Sequence, residues 1–344
     1  MKKLLVLMTL ALMISILSAC QRHEHVLTVY IRPTQDSQRA LAATKPLEEM
    51  LLEALKKEGL HYDRVHVRVG SSEHLIYESL KSGNADVGML NFGEYLIDIA
   101  QDASFDTVVP LLISTRGAMN KNSPNPSDWN TLEPIIRDDR VQVHYQLGLM
   151  LAGPSPYGRM LADKINRDEA LTWDDWNQAT VCVNSINRTS TIFIAHDLYR
   201  LYQRVVTDLD NYIVIDNAAL RIASLAAGHC DVIQAPVITQ ARYADQWNDP
   251  NGFARPKSIY EETDVIYVSG RRLNDGILIS KVNITNQAQT AIQNALLSII
   301  QSEAGLDLFS MYSVGGFKVY EDGDFDDEIA VQQFMIAQGI NSDD

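Results

Sequence analysis

Apolar runs separated by polar turns organise the first part of the chain. Val26–Ile31, residues 65–69 and residues 86–90 read as strands, because they are continuously apolar or alternate apolar with polar positions. Between them, apolar residues recur at helical spacing over residues 47–55 and 73–82, each segment followed by a glycine. This order predicts parallel strands with right-handed crossovers, whose carboxyl ends present ligand-binding loops.

The alternation continues to the C-terminus. We predict strands at residues 108–114, 141–152 and 277–280, and a short strand from Val181 that runs through a polar turn into an amphipathic helix. Further helices are predicted over residues 286–301 and at the C-terminus. The length of 344 residues suits two lobes of ordinary size better than one domain.

A short repeat supports two lobes. The pattern Ser-Leu-x-x-Gly-x-x-Asp-Val occurs at residues 79–87 and 224–232, although an ordinary helix-to-strand joint has the same pattern. We place the crossings between the lobes near Thr115 and within residues 264–269. The predicted limits are 27–115 with 267–344 for lobe 1 and 116–266 for lobe 2.

Polar residues at the predicted carboxyl ends of strands form the candidate site. The turn after Val181–Val183 supplies hydroxyl and amide groups at the start of a helix, where backbone N–H groups are unpaired and an anion is favoured. Arg188 adds a fork of donors suited to phosphonate, phosphate or carboxylate oxygens. Ordinary N-capping is the alternative for such a turn. The candidate ligand-binding residues from this turn and the other loops are Thr34, Gln35, Ser71, Ser72, Asn91, Asn187, Arg188, Thr189, Ser190, Thr191 and Asn274.

The charge and the motifs exclude several classes of function. A net charge of −15 argues against nucleic acid or an anionic membrane surface as the main partner. Neither a G-x-S-x-G elbow nor an H-E-x-x-H motif is present, and the 8 histidines are scattered. The acidic run 321–328 could suggest calcium but lacks the ordered calcium-loop pattern, so a solvated surface segment is favoured.

The N-terminus predicts export. Two lysines precede an apolar run that is too short for a comfortable membrane span, and small residues then lead to Cys20. These features resemble a bacterial lipobox, so we expect a signal peptide at 1–19, lipidation of Cys20 and a tether at 20–26. A plain secretory signal is the alternative. The mature chain is then expected on the outer face of the cell membrane, held by lipid only.

The sequence leaves two alternatives open for a pair of tryptophans and two for a pair of cysteines. Trp173 and Trp176 could stack on a ligand ring, but packing on the outside of a lobe is favoured at this spacing. Cys182 and Cys230, both expected in apolar strands, could form a disulfide in an oxidising compartment or remain two buried thiols.

Several segments together resemble the phosphonate- and phosphate-ester-type periplasmic solute-binding proteins of ABC importers. The resemblance implies an α/β, two-lobed type II fold, each lobe a mainly parallel sheet flanked by helices, with two crossover strands joining the lobes. It runs in order from about Leu27 to Phe325. The matching segments are the residues before Cys20, 30–35, 45–47, 80–86 and the strand–turn–helix from Val181.

The resemblance also implies site residues. In that family a Ser-Thr-Ser-Gly turn grips the phosphonate oxygens, and residues 188–191 match it with two hydroxyl positions kept. Tyr145 matches a family tyrosine in the cleft. Another family tyrosine falls at or near Glu73, and a family histidine aligns near Ala218. These departures argue against a simple aminoalkylphosphonate ligand.

The function implied is capture of a small phosphonate- or phosphate-containing solute between the lobes and its delivery to ABC permease and ATPase subunits. The alternatives are binding of thiamine or its phosphates with Glu73 or Glu94 facing a cationic ring, a ligand-sensing receptor subunit, and an exported enzyme. We expect a monomer with no catalytic residues, no cofactor and no metal.

Overall fold

The computed structural model of the protein describes residues 25–34, 37–185 and 189–340. The predicted signal segment, Cys20, Gln35, Asn187 and Arg188 lie outside the described residues, and so does the side chain of Thr189. Among the residues that are described, no helix is long and apolar enough to cross a membrane.

Strands and helices alternate along most of the chain. The strands are β1 (Val26–Ile31), β2 (Arg64–Val69), β3 (Val87–Leu90), β4 (Val108–Met119), β5 (Arg137–Val143), β6 (Tyr145–Gln146), β7 (Gly148–Ala152), β8 (Val181–Val183), β9 (Tyr212–Val214), β10 (Val232–Pro236), β11 (Asp264–Val268), β12 (Arg272–Leu273), β13 (Gly276–Ser280) and β14 (Gly316–Val319). The helices are α1 (Ser37–Lys57), α2 (Glu73–Lys81), α3 (Gly93–Gln101), α4 (Pro156–Asn166), α5 (Trp173–Gln178), α6 (Thr189–Tyr202), α7 (Ala218–Ala226), α8 (Thr239–Asn248), α9 (Ile259–Glu262), α10 (Asn286–Ile300), α11 (Glu303–Ser310) and α12 (Asp326–Gln338).

The first sheet forms the core of one lobe. In the described chain its strand order is β14-β4-β13-β3-β1-β2, with β5 attached to β4. Strand β1 pairs in parallel with β2 and β3, as the strand–helix–strand pattern predicts. Leu27, Val29 and Ile31 alternate with less buried residues, so one face of β1 packs under α1 and α10.

The second sheet has the order β11-β7-β10-β8-β9. Strands β8, β9 and β10 are parallel, whereas β7 is antiparallel to both β10 and β11. Both sheets are therefore mixed and not mainly parallel as predicted. The reason is that the strand that follows each crossing is antiparallel to its neighbours: β7 runs opposite to β10 and β11 in the second sheet, and β13 runs opposite to β3 and β4 in the first.

The connection between the lobes differs from the prediction. The expected single strand over residues 141–152 consists of β5, β6 and β7, because the run changes its pairing partner twice. β5 pairs with β4, β6 pairs with β12 in a separate two-stranded ribbon, and β7 joins the second sheet. All of β11 pairs within the second sheet, so the chain returns after the predicted crossing at residues 264–269. The lobe limits drawn from the sequence stay a proposal.

The C-terminal helix α12 contacts helices of both lobes, α3 and α6. Phe325, just before the helix, packs on Phe92 and Tyr95 of the first lobe. Near the other end of the helix, Phe334 packs on His196 and Tyr199 of α6. The helix thus lies across the two lobes. It also contacts the two-stranded ribbon of β6 and β12, called the crossover ribbon below, because Glu328 accepts a hydrogen bond from Leu273 N–H at 2.6 Å.

The repeated sequence pattern corresponds to equivalent joints. Asp86 accepts a hydrogen bond from the backbone N–H of Thr28 at 2.8 Å, and Asp231 accepts one from Thr180 at 2.8 Å. Each aspartate therefore ties the start of its own strand to a neighbouring parallel strand. The glycines that end the preceding helices have φ values of 74° and 75°, which a side chain rarely adopts.

Cys182 and Cys230 form a disulfide with a Cα–Cα distance of 6.0 Å. Cys182 lies in β8, as expected, but Cys230 lies in the loop before β10. Both are buried among the side chains between the second sheet and α7. Trp176 packs in the core of the second lobe, at 2% exposure, and not on the outside of the lobe as favoured from the sequence.

Candidate functional site

A cleft opens where the carboxyl ends of β8 and β10 face the crossover ribbon. Its narrow end is a cavity of about 160 Å³ beside the start of α6. This volume is below the range of roughly 300–1,000 Å³ typical of pockets for drug-sized ligands, so the narrow end suits a small group. The side chains that line it include Gln146, Asn184, Ser190, Phe193, Arg221, Gln234 and Arg272.

Arg221 of α7 lies at the bottom of this cavity, and only 3% of it is exposed. Its Nε donates to the backbone carbonyl of Gln234 at 3.2 Å, and its Nη1 donates to the Asn184 side chain and the Ile215 carbonyl. Those bonds use Nε and Nη1. In the described chain Nη2 has no protein partner, so it can donate to a ligand.

Among the described residues, the charge of Arg221 has no direct counter-charge. No carboxylate of the described residues lies within ion-pair distance of it, and the acid that most influences it, Asp216, accepts hydrogen bonds from Ser185 at 2.8 Å. Burial lowers the pKa of Arg221. Because a buried cation without a partner is unfavourable, this cavity attracts an anion.

Further hydrogen-bond donors surround the same point. The Gln234 side chain, 3% exposed, accepts from Asn184 N–H at 3.1 Å and from the Thr191 hydroxyl at 3.0 Å through its oxygen. Its amide nitrogen is buried without an acceptor among the described residues. The Ser190 hydroxyl oxygen accepts from Asn184 at 3.0 Å, which leaves its hydrogen to donate. Donors at the N-terminal end of a helix suit an oxyanion.

The helix begins earlier than the sequence predicts, because α6 starts at Thr189 and so includes Ser190 and Thr191 of the predicted turn. Ser190 lines the cavity. Thr191 is fully buried behind it, and its hydroxyl donates to Gln234 and to the Asn184 carbonyl at 3.2 Å. Thr191 therefore holds the loop that carries the site.

The first lobe forms the opposite wall, along a wider part of the cleft of about 700 Å³. Ser72 caps α2 by accepting from Leu75 N–H at 3.2 Å, whereas Ser71 is exposed. Glu73 accepts from both the backbone and the side chain of Asn91, and Asn91 in turn accepts from Gly93 N–H at 2.8 Å. Burial raises the pKa of Glu73. These side chains brace two loops at the cleft wall.

Asn274 connects three segments near the crossings between the lobes, namely β4 at Ser114, β5 at Val143 and β6 at Gln146, which together are called the hinge. It is 2% exposed, and its amide donates to the carbonyls of Ser114 at 3.0 Å and Val143 at 3.1 Å. Its oxygen accepts from Gln146 at 3.0 Å. Because these bonds engage both ends of its amide, Asn274 fixes the hinge and orients Gln146 in the cleft.

Tyr145 does not line the narrow cavity. It lines an adjacent pocket of about 80 Å³, which shares Gln146 and Leu147 with the cavity. The Tyr145 hydroxyl accepts from Asn122 at 2.7 Å, and the Arg271 guanidinium lies 4.4 Å from its ring centre. Thr34 lines the wide mouth of the cleft.

No group of three His, Cys, Asp or Glu side chains could hold a metal ion in residues 25–34, 37–185 and 189–340. In the acidic run, Asp324 binds the Lys318 ammonium at 2.6 Å. That segment is tied to a lysine at the surface.

Five residues that line the cavity were not predicted from the sequence: Gln146, Asn184, Arg221, Gln234 and Arg272. Arg221 could have been recognised from the sequence, because it is the one charged residue in the segment Ala-Ala-Leu-Arg-Ile-Ala-Ser-Leu-Ala. In the structure it lies on the buried face of that helix. Gln234 is a polar residue within the buried strand β10. A polar side chain inside an apolar element needs partners, which makes both positions candidates for a site.

No protein-family model matches the chain, and no curated protein is similar to it in sequence. Among solved structures, the Mycoplasma hyorhinis protein p37, for which thiamine pyrophosphate transport is proposed, is 11% identical with a TM-score of 0.62 and covers 92% of this chain and 99% of its own. A Xanthomonas citri protein bound to ATP is 10% identical with a TM-score of 0.56 and covers 92% of this chain and 100% of its own. A binding protein component of an ABC phosphonate transporter from Pseudomonas aeruginosa is more distant, at 12% identity and a TM-score of 0.44, and covers 92% of this chain and 85% of its own.

At these identities the likeness shows the fold. The predicted two-lobed, type II periplasmic-binding-protein fold is confirmed, with the correction that its sheets are mixed.

Proposed function

We propose that the protein is the solute-binding component of an ABC importer and captures a small phosphonate- or phosphate-containing solute in the cleft. The observation that carries this proposal is the buried Arg221, whose charge has no carboxylate partner in the described chain and whose Nη2 is open to a ligand. Gln234 and Ser190 add donors at the same cavity.

An oxyanion matches this chemistry better than a cation or a neutral solute. The groups around the narrow cavity that lack partners donate hydrogen bonds, and a tetrahedral oxyanion supplies several acceptor oxygens around one centre. The turn predicted from the sequence, with Arg188 and Thr189, would add donors from the start of α6. Closure of the lobes on the ligand would then give the permease a distinct state to recognise.

The remaining expectations from the sequence belong to the same proposal. Lipid at Cys20 would hold the protein at the outer face of the membrane, next to permease and ATPase subunits, with the folded lobes acting as a monomer. No nucleic acid is expected as a partner, because the net charge is −15. Tyr145, Asn274 and Thr191 are proposed to support the site.

Calorimetric titration of protein freed of bound ligand tests the proposal. Phosphate, phosphite, methylphosphonate and thiamine phosphate should be compared with methanesulfonate, which has a similar shape and a lower charge than a phosphonate dianion. We expect heat and a raised melting temperature with at least one phosphorus oxyanion. No response to any of the four phosphorus compounds would refute the proposal that the ligand is a phosphorus oxyanion. A response to thiamine phosphate but not to the smaller anions would identify the thiamine alternative.

A further inference from the structure

Three arginines from separate segments meet at the wide mouth of the cleft. Arg32 follows β1, Arg116 lies in β4 and Arg272 lies in β12, and all three line an open space of about 680 Å³. Asp275 pairs with two of them through one oxygen, at 2.8 Å from Arg32 and 3.4 Å from Arg116. Arg272 has no carboxylate within ion-pair distance in the part of the chain that the structure describes, and Glu328 and Asp275 act on its charge from farther away. Three guanidinium groups therefore share two carboxyl groups, so positive charge exceeds negative charge.

The arginines repel one another. Burial lowers the pKa of Arg116, and the charges of Arg32, Arg137 and Arg272 lower it further, against the opposing effect of Asp275. Such a cluster is unexpected in a chain with a net charge of −15. Like charges that are held close together become favourable when an anion lies between them.

Hydrogen-bond donors without acceptors lie at the same place. The hydroxyl of Tyr312 is buried without a partner among the described residues, and so are Nε of Arg32 and Nε of Arg116. Tyr312 is 2% exposed, and the guanidinium of Arg32 lies 5.7 Å from its ring centre. Burial raises the pKa of Tyr312, so the phenol stays protonated and can donate. Buried donors without acceptors indicate a binding site for an acceptor group.

The arginine cluster adjoins the narrow cavity. Gln146 and Arg272 line both spaces, so one small molecule can reach from Arg221 to the cluster. The glutamates of the first-lobe wall are engaged elsewhere, Glu73 with Asn91 and Glu94 with His74 at 2.9 Å. These contacts favour an anion over an amine as the second group of the ligand.

We propose that the ligand carries two anionic groups, one held at Arg221 and the second held by Arg32, Arg116, Arg272 and Tyr312. This inference rests on the proposed function and narrows its substrate class. The second group is a phosphonate, phosphate or carboxylate, since all three accept paired hydrogen bonds from arginine. The solute is then a diphosphonate, a diphosphate or a phosphonocarboxylate.

Calorimetry with matched ligands tests the second subsite. Alkylene diphosphonates with one to four methylene groups and the corresponding phosphonocarboxylates are compared with alkyl monophosphonates of the same length. For the best spacing, we expect the ligand with two anionic groups to bind at least tenfold more tightly than the monophosphonate of the same length. The diphosphonate and phosphonocarboxylate series distinguish a phosphorus-based second group from a carboxylate.

Two variants locate the effect. Arg116→Gln leaves Asp275 paired with Arg32, and Tyr312→Phe removes only the unpartnered hydroxyl. Each should reduce the preference for the ligand with two anionic groups at least threefold and leave the affinity for the monophosphonate within twofold. Unchanged monophosphonate binding also shows that the variant is folded. Arg140→Gln is the matched control, because the Arg140 side chain is 90% exposed and should change neither affinity.

The outcomes separate the two proposals. Monophosphonate binding with no gain at any spacing would overturn the second subsite and leave the proposed function in place. A gain that persists in both variants would also overturn it. No binding of any phosphonate, together with no response to phosphate, phosphite or thiamine phosphate, would overturn both.

Discussion

Replacing Arg221 with methionine tests the anion site directly, because methionine keeps an unbranched side chain and removes the charge. The free Nη2 can give one or two charge-assisted hydrogen bonds to an oxyanion, each worth about 1.5–3 kcal/mol. A loss of about 3 kcal/mol of binding free energy corresponds to a roughly 100-fold larger dissociation constant. We therefore expect the affinity for the phosphorus oxyanion to fall by about that factor.

The assay compares each protein with and without ligand, since the substitution also affects the unliganded state. Loss of Arg221 leaves the Asn184 side chain and two backbone carbonyls without a donor, at about 1–3 kcal/mol each when buried. Ligand at 100 times the wild-type dissociation constant should stabilise the wild-type protein by about 2.7 kcal/mol and the variant by about 0.4 kcal/mol.

A control and a contradicting result complete the experiment. Arg140→Met removes the same charge from a side chain that is 90% exposed, and it should keep the full stabilisation by ligand. If Arg221→Met were stabilised by the same ligand as strongly as the wild type, the oxyanion would bind elsewhere, and the assignment of the cavity would be wrong.

Other features of the fold give predictions of their own. Asn274→Leu removes the donor to two backbone carbonyls of the hinge, so the free energy of unfolding in urea should fall by about 2–5 kcal/mol. A loss under about 1 kcal/mol would contradict the role of Asn274 in holding the hinge segments together. Replacing both Cys182 and Cys230 with alanine removes a cross-link between residues that are 48 positions apart in the sequence. The free energy of unfolding in the same assay should fall by about 4 kcal/mol. An unchanged unfolding transition would refute this prediction. Burial raises the pKa of Glu328 from 4.5 to about 7, so the stability it contributes is present below pH 4.5 and is lost as the pH rises through 7. Relative to Glu328→Gln, the wild type should lose about 3 kcal/mol over that range, and parallel stability curves would argue against it.

Much of the fold follows from local pattern. The strands β1 and β8 begin where the apolar runs predict, and α1 and α2 end before glycines, since burial and helix termination depend on nearby residues. The division of residues 141–152 into three strands could not be predicted this way. The run is apolar only in its last part, and its pairing depends on two sheets that are distant in sequence.

The candidate site was predictable in position but not in composition. The start of α6 has the local marks of an anion site, and Ser190 lies there as expected. Arg221 and Gln234 reach the same cavity from α7 and β10, which only the packing of the second lobe brings together. Asn274 shows the converse, because its polar loop indicated ligand contact whereas its amide bonds the hinge segments.

Native mass spectrometry of the protein purified without denaturation is a direct test of phosphorus-oxyanion binding at Arg221, because a closed binding protein can retain its ligand. We expect an adduct whose fragments contain phosphate or phosphonate, present on the wild type and lost in Arg221→Met. An adduct without phosphorus, or one that persists in Arg221→Met, would contradict it.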